Sequence, residues 1–346
     1  SSDNLFRESI MQRQNIFWLG TMISLLTAFL AVQAHASPSA ELVYRLKGTI
    51  TKVHSVDNQG GQSTGTGVVV AENLVATNCH TLSNSVGMNI AALGETYQPV
   101  GIKADWKHDI CILRFQFLPL KAAEFASQDP AYEQDTFSIG FPGGPPKPIT
   151  TTGKVKALYP MDGANIIRTN ASFQLGASGS PLFNEQGQLI GMSTFKSPGR
   201  NAYFYHVPAK WIQAAMQLPD TSMKEFQSPF WDAPEDQKPF WMQVVLPLHH
   251  EKWTELKNIA ENWLKKEKNN AEAYHYLGVA LMNLGDKPAA KTALQASLSF
   301  NKAHSGSMLA LAQIAQQEGN QQAFQGYKHM LAELNSDDLE ILETSH

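Results

Sequence analysis

Ser178 lies in the stretch LGASGSPLF (175–183), with Gly176 before it, Gly179 after it and a proline and an apolar pair closing the run. A serine hydroxyl becomes a nucleophile only if a base takes its proton and a carboxylate holds that base in the right tautomer. On their own, glycine and serine are ordinary turn residues, so the partners decide the matter. Four histidines between about 41 and 208 are candidates: His54, His80, His108 and His206. His80 stands apart because GTGVVVAENLVATNCHTL (65–82) is a glycine-led hairpin entering an apolar strand that ends at the histidine. A ring there is fixed by the core and still reaches a cleft, although strand-end histidines also serve as plain packing residues. For the carboxylate, Asp109 in WKHDICILRF precedes an apolar run, which sets it at the rim of a core. Asp105 is the alternative, in a more polar context, and a cap or turn role for Asp109 stays open on this segment alone.

These residues need elements to hold them. From about 41 to 208 the chain reads as short β-segments: GTGVVVA (65–71), DICILRF (109–115), DTFSIGF (135–141), GKVKAL (153–158), GQLIGMSTF (187–195) and NAYFYHV (201–207). Glycine, proline and asparagine separate them at the spacing of an all-β barrel or sandwich. PAKWIQAAMQ (208–217) predicts a closing helix with proline at its start. Residues 218–248 are rich in proline, aromatics and acids and read as a linker lying against a surface, since Trp231, Phe240 and Trp241 are poor choices for open water. Beyond it the hydrophobic period changes from 2 to 3.6.

That last region, 249–338, resembles tetratricopeptide repeats. Tyr274, Leu277, Gly278, Leu281, Gly285, Ala290 and Leu294 fall at the spacings of one unit, and 34 residues later Leu311, Ala312, Gly319 and Asn320 follow Leu277, Gly278, Gly285 and Asp286. KWTELKNIAENWLKK (252–266) matches only a second helix. Such units need neighbours to bury their faces, so the array is expected to rest on the β-region or on a second protein. Residues 339–346 are left as a tail.

At the other end, residues 1–36 have the anatomy of a leader. Arg7 and Arg13 precede a mostly apolar run of 17 residues, Ile16 to Val32, and then the small-residue exit Ala34, His35, Ala36. Cleavage after Ala36 makes the protein periplasmic or secreted; an uncleaved leader makes it membrane-anchored. A net charge of −4 with scattered lysine and arginine excludes the electrostatic pattern of a nucleic-acid binder.

LVATNCH, HDICIL, ITTTGKVKAL and TNASFQLGASGSPLFN together resemble the chymotrypsin-fold serine peptidases, closest to their bacterial HtrA/Deg branch. The order His, Asp, Ser is that of the clan, and the likeness spans roughly 45 to 215. It implies a double antiparallel β-barrel over 41–217 followed by an α-helical repeat domain, a multidomain β + α architecture. It implies His80 as general base, Asp109 as its orienting carboxylate and Ser178 as nucleophile, with the amides of Gly176 and Ser178 as the oxyanion hole. It puts Ser172 at the floor of the specificity pocket, with Phe173 beside it and Ser193, Thr194 and Phe195 along one wall. No acidic residue stands among these, so apolar side chains are expected before the scissile bond. Because the resemblance sets His80 against Asp109, it also implies that their neighbours Cys79 and Cys111 form a disulfide.

The chain departs from that pattern in places. Ala177 replaces the aspartate that pairs with a new N-terminus in zymogen-activated relatives, Ser180 stands where glycine is commoner, and helical repeats take the place of a PDZ domain. Neither a cofactor nor a metal site is expected, for there is no zinc-like histidine–cysteine spacing. The function expected is that of an exported serine endopeptidase acting on polypeptides, with repeats that hold a substrate or partner. The alternative is a catalytically idle scaffold that acts through its repeats.

Overall fold

The computed structural model describes residues 37–142, 146–173, 177–222 and 227–344. The predicted leader and Gly176 therefore lie outside the described residues. Helix α1 (Ala40–Lys47) starts where the Ser39 hydroxyl accepts the Leu42 amide at 3.1 Å, a serine N-cap. Next come β1 (Ile50–Asp57), β2 (Gln62–Ala71), β3 (Leu74–Thr77), β4 (Ser85–Ala92), β5 (Glu95–Tyr97), β6 (Gly101–Asp105) and β7 (Ile110–Arg114). They form one antiparallel sheet in the order β5-β4-β1-β2-β3-β7-β6. After it, β8 (Asp135–Gly140), β9 (Ile149–Met161), β10 (Ala164–Thr169), β11 (Pro181–Asn184), β12 (Leu189–Lys196) and β13 (Phe204–Pro208) close into a barrel in the order β10-β13-β12-β11-β8-β9.

The β + α architecture is the expected one, with one difference: only the second sheet closes its hydrogen-bond ladder. In the first, β5 does not meet β6. The β6 edge is covered instead from the segment after the barrel, where the Thr221 amide donates to the Ile102 carbonyl at 2.7 Å and Lys103 reaches the Leu218 carbonyl at 2.8 Å. An edge covered in this way needs no further strand.

Strand β2 shows why the two sheets pack as they do. Its residues Gly65 to Val70 are all buried. Alternate side chains serve opposite cores: Val69 joins Val53, Val75 and Leu113 inside the first sheet, while Val68 and Val70 join Ile139, Phe137 and Phe183 of the barrel. A period of 2 on a strand buried on both faces produces this division.

Helix α2 (Ala209–Met216) follows β13 with Pro208 at its cap position. The segment predicted as a linker then folds into α3 (Phe240–Gln243) and α4 (Val245–His249). Helices α5 (Trp253–Lys266), α6 (Ala271–Asn283), α7 (Lys287–Phe300), α8 (Ser305–Gln317) and α9 (Gln321–Glu333) come next. The pairs α6–α7 and α8–α9 start 34 residues apart, at 271 and 305 and at 287 and 321. Asn270, Asp286 and Asn320 cap α6, α7 and α9 through their side chains. Residues predicted as a tail form α10 (Asp338–Thr344), because Leu342 packs among Met308, Ala312 and Leu331 and is almost wholly buried.

The core runs without a break across the boundary predicted at 217/218. Tyr159 and Tyr205 of the barrel share one cluster with Trp241, Trp263 and Tyr276. Trp241 stacks on Tyr159 at 4.8 Å. Polar contacts join the same surfaces: Tyr132 Oη donates to Glu272, Ser305 Oγ to Glu133 Oε1 at 2.7 Å, and Lys156 Nζ to Asp337 Oδ1 at 2.6 Å. The helical hairpins thus rest on the barrel, with the first helix of each turned towards it.

Candidate active site

Strand β3 ends at Thr77 and the chain turns through Asn78 into a 3₁₀ turn, Cys79–Leu82. His80 sits on this turn, three residues past the strand rather than at its end. The turn is held by Thr81 Oγ1 donating to the Asn78 carbonyl at 2.7 Å and by Ser55 Oγ donating to the Thr81 carbonyl at 2.7 Å.

Asp109 closes the turn between β6 and β7 with φ +60. Few side-chain-bearing residues adopt that region, and Asp and Asn do so most readily. Its backbone carbonyl accepts from Asn78 Nδ2 at 3.0 Å, and Oδ1 accepts the His80 amide at 2.9 Å. With 1% of its surface exposed, the Asp109 side chain has lost its water, and these donors replace it. Its second oxygen, Oδ2, lies 2.6 Å from His80 Nδ1 and accepts from Thr194 Oγ1 at 2.7 Å.

Ser178 projects from the turn 177–180 that leads into β11. Its Oγ lies 3.2 Å from His80 Nε2. Three features shape this turn. Its carbonyl accepts the Thr66 amide at 2.8 Å, tying it to β2 of the other sheet. Gly179 has φ +87, and a Cβ there would collide with the Thr66 carbonyl oxygen, so glycine is required by both conformation and space. Ser180 Oγ and Ser193 Oγ both donate to the Ala177 carbonyl, and Ser193 Oγ accepts the Ser180 amide at 3.1 Å. The serine found where glycine is commoner thus adds a bond across the turn.

Of the predicted pocket residues, Ser172 and Phe173 line a cavity of about 200 Å³ together with Ala177, Ser138 and Thr151. Ser193, Thr194 and Phe195 are absent from its lining. The Ser193 hydroxyl is used in the 177–180 turn, Thr194 serves Asp109, and Phe195 stacks on Tyr205 at 4.5 Å and on Trp231 at 5.3 Å. Sequence reading missed Thr194 as a partner of Asp109, and Trp231 beside it; no local pattern announces either. The expected disulfide is present, Cys79–Cys111 with Cα atoms 4.9 Å apart, directly behind the His80–Asp109 pair.

The other histidines of the β-region are differently placed. His206 is wholly buried beneath Phe173, and burial holds its pKa down at about 3. Burial also lowers the pKa of His54, on β1, with Lys52 adding to the effect. His108 pairs with Asp105, the alternative carboxylate, at 2.6 Å and with Asp162 of the β9–β10 turn at 2.7 Å.

A closed antiparallel barrel beside a curled sheet, with serine, histidine and aspartate meeting where they join, defines the chymotrypsin-like class of folds. Residues 65–192 match the family described as trypsin-like peptidase domain, and this part of the chain is similar to HtrA-type serine proteases. It is similar to mitochondrial serine protease HTRA2 of Bos taurus, 31% identical over 150 residues that cover 39% of this chain and 32% of that protein. It is also similar to a probable periplasmic serine endoprotease DegP-like of Chlamydia muridarum, 31% identical over 147 residues, 40% of this chain and 29% of that protein. The chain thus spans about a third of the length of these curated relatives. Among solved structures, the active form of the Rv3671c protease from M. tuberculosis aligns with a TM-score of 0.49 and 20% identity, covering 54% of this chain and 89% of that one.

Proposed function

We propose that the protein is an exported serine endopeptidase that cleaves peptide bonds through an acyl-enzyme. The observation that carries this reading is His80 bridging two partners, with Nδ1 2.6 Å from Asp109 Oδ2 and Nε2 3.2 Å from Ser178 Oγ. Nδ1–H donates to the buried carboxylate, which fixes the tautomer that leaves Nε2 free to accept the Ser178 proton. Ser178 Oγ then attacks the carbonyl carbon of the substrate. His80 passes the proton to the leaving amine and afterwards takes one from the water that releases the acyl group. The Ser178 amide, with that of Gly176, receives the charge developing on the carbonyl oxygen. Donors of this kind are worth about 3–4 kcal/mol in the transition state.

The cavity beside Ala177 has no charged residue among its described lining, which favours apolar or small side chains in the substrate. Export rests on the leader-like run 16–36 and on the periplasmic description of the DegP-like relatives. The 34-residue offset of the hairpins supports reading them as tetratricopeptide-like. As their first helices face the barrel, any partner they hold docks on the surface left outside.

A fluorophosphonate probe applied to the full chain tests the proposal. Labelling that disappears in Ser178→Ala supports it, whereas a folded wild-type chain that stays unlabelled would return the protein to the class of idle scaffolds.

A further inference from the structure

The segment after the barrel comes back to the site. The Phe230 amide donates to the Lys107 carbonyl at 2.9 Å, which ties this segment to the turn carrying Asp109. The Phe230 ring is wedged edge-on between Phe195 and Trp241, at 6.0 and 6.1 Å. With its neighbour so fixed, Trp231 meets three residues of the site at once. Its ring stands edge-on to His80 at 5.4 Å with an interplanar angle of 85°, and stacks on Phe195 at 5.3 Å. Its Nε1–H donates to Thr194 Oγ1 at 3.0 Å.

The direction of these bonds follows from the groups. An indole nitrogen donates and never accepts, while a threonine hydroxyl has one proton to give. Once Trp231 fills an acceptor site on Thr194 Oγ1, the hydroxyl proton is left for Asp109 Oδ2, 2.7 Å away. That oxygen is the one that holds His80 Nδ1. A hydroxyl without the indole is free to turn its proton to another acceptor, and water is free to approach the carboxylate.

We propose that Trp231 is a positioning residue for the His80–Asp109 pair, orienting the Thr194 hydroxyl onto the carboxylate and screening the pair from water with its ring. The proposal rests on the reading of Ser178 as nucleophile only for its kinetic consequence. Its structural consequence, a protected His80 Nδ1 proton, stands independently. It also means that the site is completed by a residue outside 65–192, the span that matches the peptidase family.

The test uses the full chain and the variants Trp231→Phe, Trp231→Ala, Thr194→Val and Trp231→Phe/Thr194→Val. Trp231→Phe keeps a ring and removes the donor, so it is expected to slow fluorophosphonate labelling about threefold to tenfold, the effect of one net hydrogen bond. Trp231→Ala is expected to slow it further, and in peptide hydrolysis both lower kcat more than they raise KM. Because the effect passes through Thr194, adding Trp231→Phe to Thr194→Val is expected to cost less than about twofold more. Penalties that multiply in the double variant, or wild-type labelling in Trp231→Ala, overturn the proposal. A second arm follows the Nδ1 proton of His80 by NMR in Ser178→Ala, with and without Trp231→Ala. Faster exchange with water on loss of the indole supports the role, and unchanged exchange refutes it. If wild type is never labelled, the enzymatic reading falls and the proton measurement alone decides the role of Trp231.

Discussion

Replacing Cys79 and Cys111 by alanine reopens a loop closed across a sequence separation of 32. Closing a loop of that length removes enough entropy from the unfolded chain to be worth ~3.7 kcal/mol at 25 °C. Both sulfurs are fully buried in the cluster with Val69, Val75 and Leu82, so the voids left behind add about 1–2 kcal/mol. The double variant should therefore lose roughly 5 kcal/mol, as much as the whole stability of many domains. The site itself is held by more than the bridge, because Asn78 Nδ2 and the His80 amide both still donate to Asp109. Where the double variant remains folded, its labelling rate should fall less than about tenfold. Urea unfolding followed by tryptophan fluorescence, for wild type and variant with and without reductant, measures the difference. Alkylation of the denatured, unreduced wild type counts thiols. A stability difference under about 1 kcal/mol, far below the loop-closure value, or two alkylated thiols, would refute the reasoning.

Three further outcomes are expected. Burial pushes the pKa of His108 down, but the carboxylates of Asp105 and Asp162, the latter also paired with Lys107, outweigh it and raise the pKa above 6.5. The clamp between the two sheets is therefore complete below pH 6.5 and is lost as the pH climbs through the raised folded value. His108→Gln should lower the urea midpoint more at pH 6 than at pH 9, and equal losses would contradict the assignment. Burial would raise the pKa of Glu272, yet the charge and hydrogen bond of His304 hold it near 2. Its contribution is thus full above pH 4.5 and fades as the pH falls towards 2. Glu272→Gln should cost about 3 kcal/mol at pH 7, seen as faster amide exchange in α6 and α8. Gly179→Ala meets the Thr66 carbonyl in a left-handed conformation, so it should cost about 1–3 kcal/mol and abolish most labelling, with thermal unfolding as the check.

Legibility in the sequence followed burial. β2, β7, β8 and β12 carry runs buried along most of their length, and each was readable from apolar residues between turn residues. β4, β5 and β6 escaped because they are mostly part-exposed, so neither an apolar run nor a strict alternation marks them. The helical offset of 34 residues was visible because each hairpin repeats its small residues, such as Gly278, where a Cβ would strike Leu294. His80, Asp109 and Ser178 each sit in a local motif. Thr194 does not: on a buried strand its type says nothing of its partner, and only the closing of the barrel beside β7 brings it to Asp109. Trp231 belongs to a segment whose composition reveals contact with a surface but not which surface.

The shared aromatic core has a practical corollary for anyone trimming this protein to its β-sheet region. Ending the chain at Met216 would strip Trp241 and Tyr276 from Tyr159 and Tyr205, leaving a greasy scar on the barrel wall. Such a fragment should be sticky and short-lived in solution, and fusion tags or linkers are better attached beyond the last helix than spliced in ahead of the first hairpin.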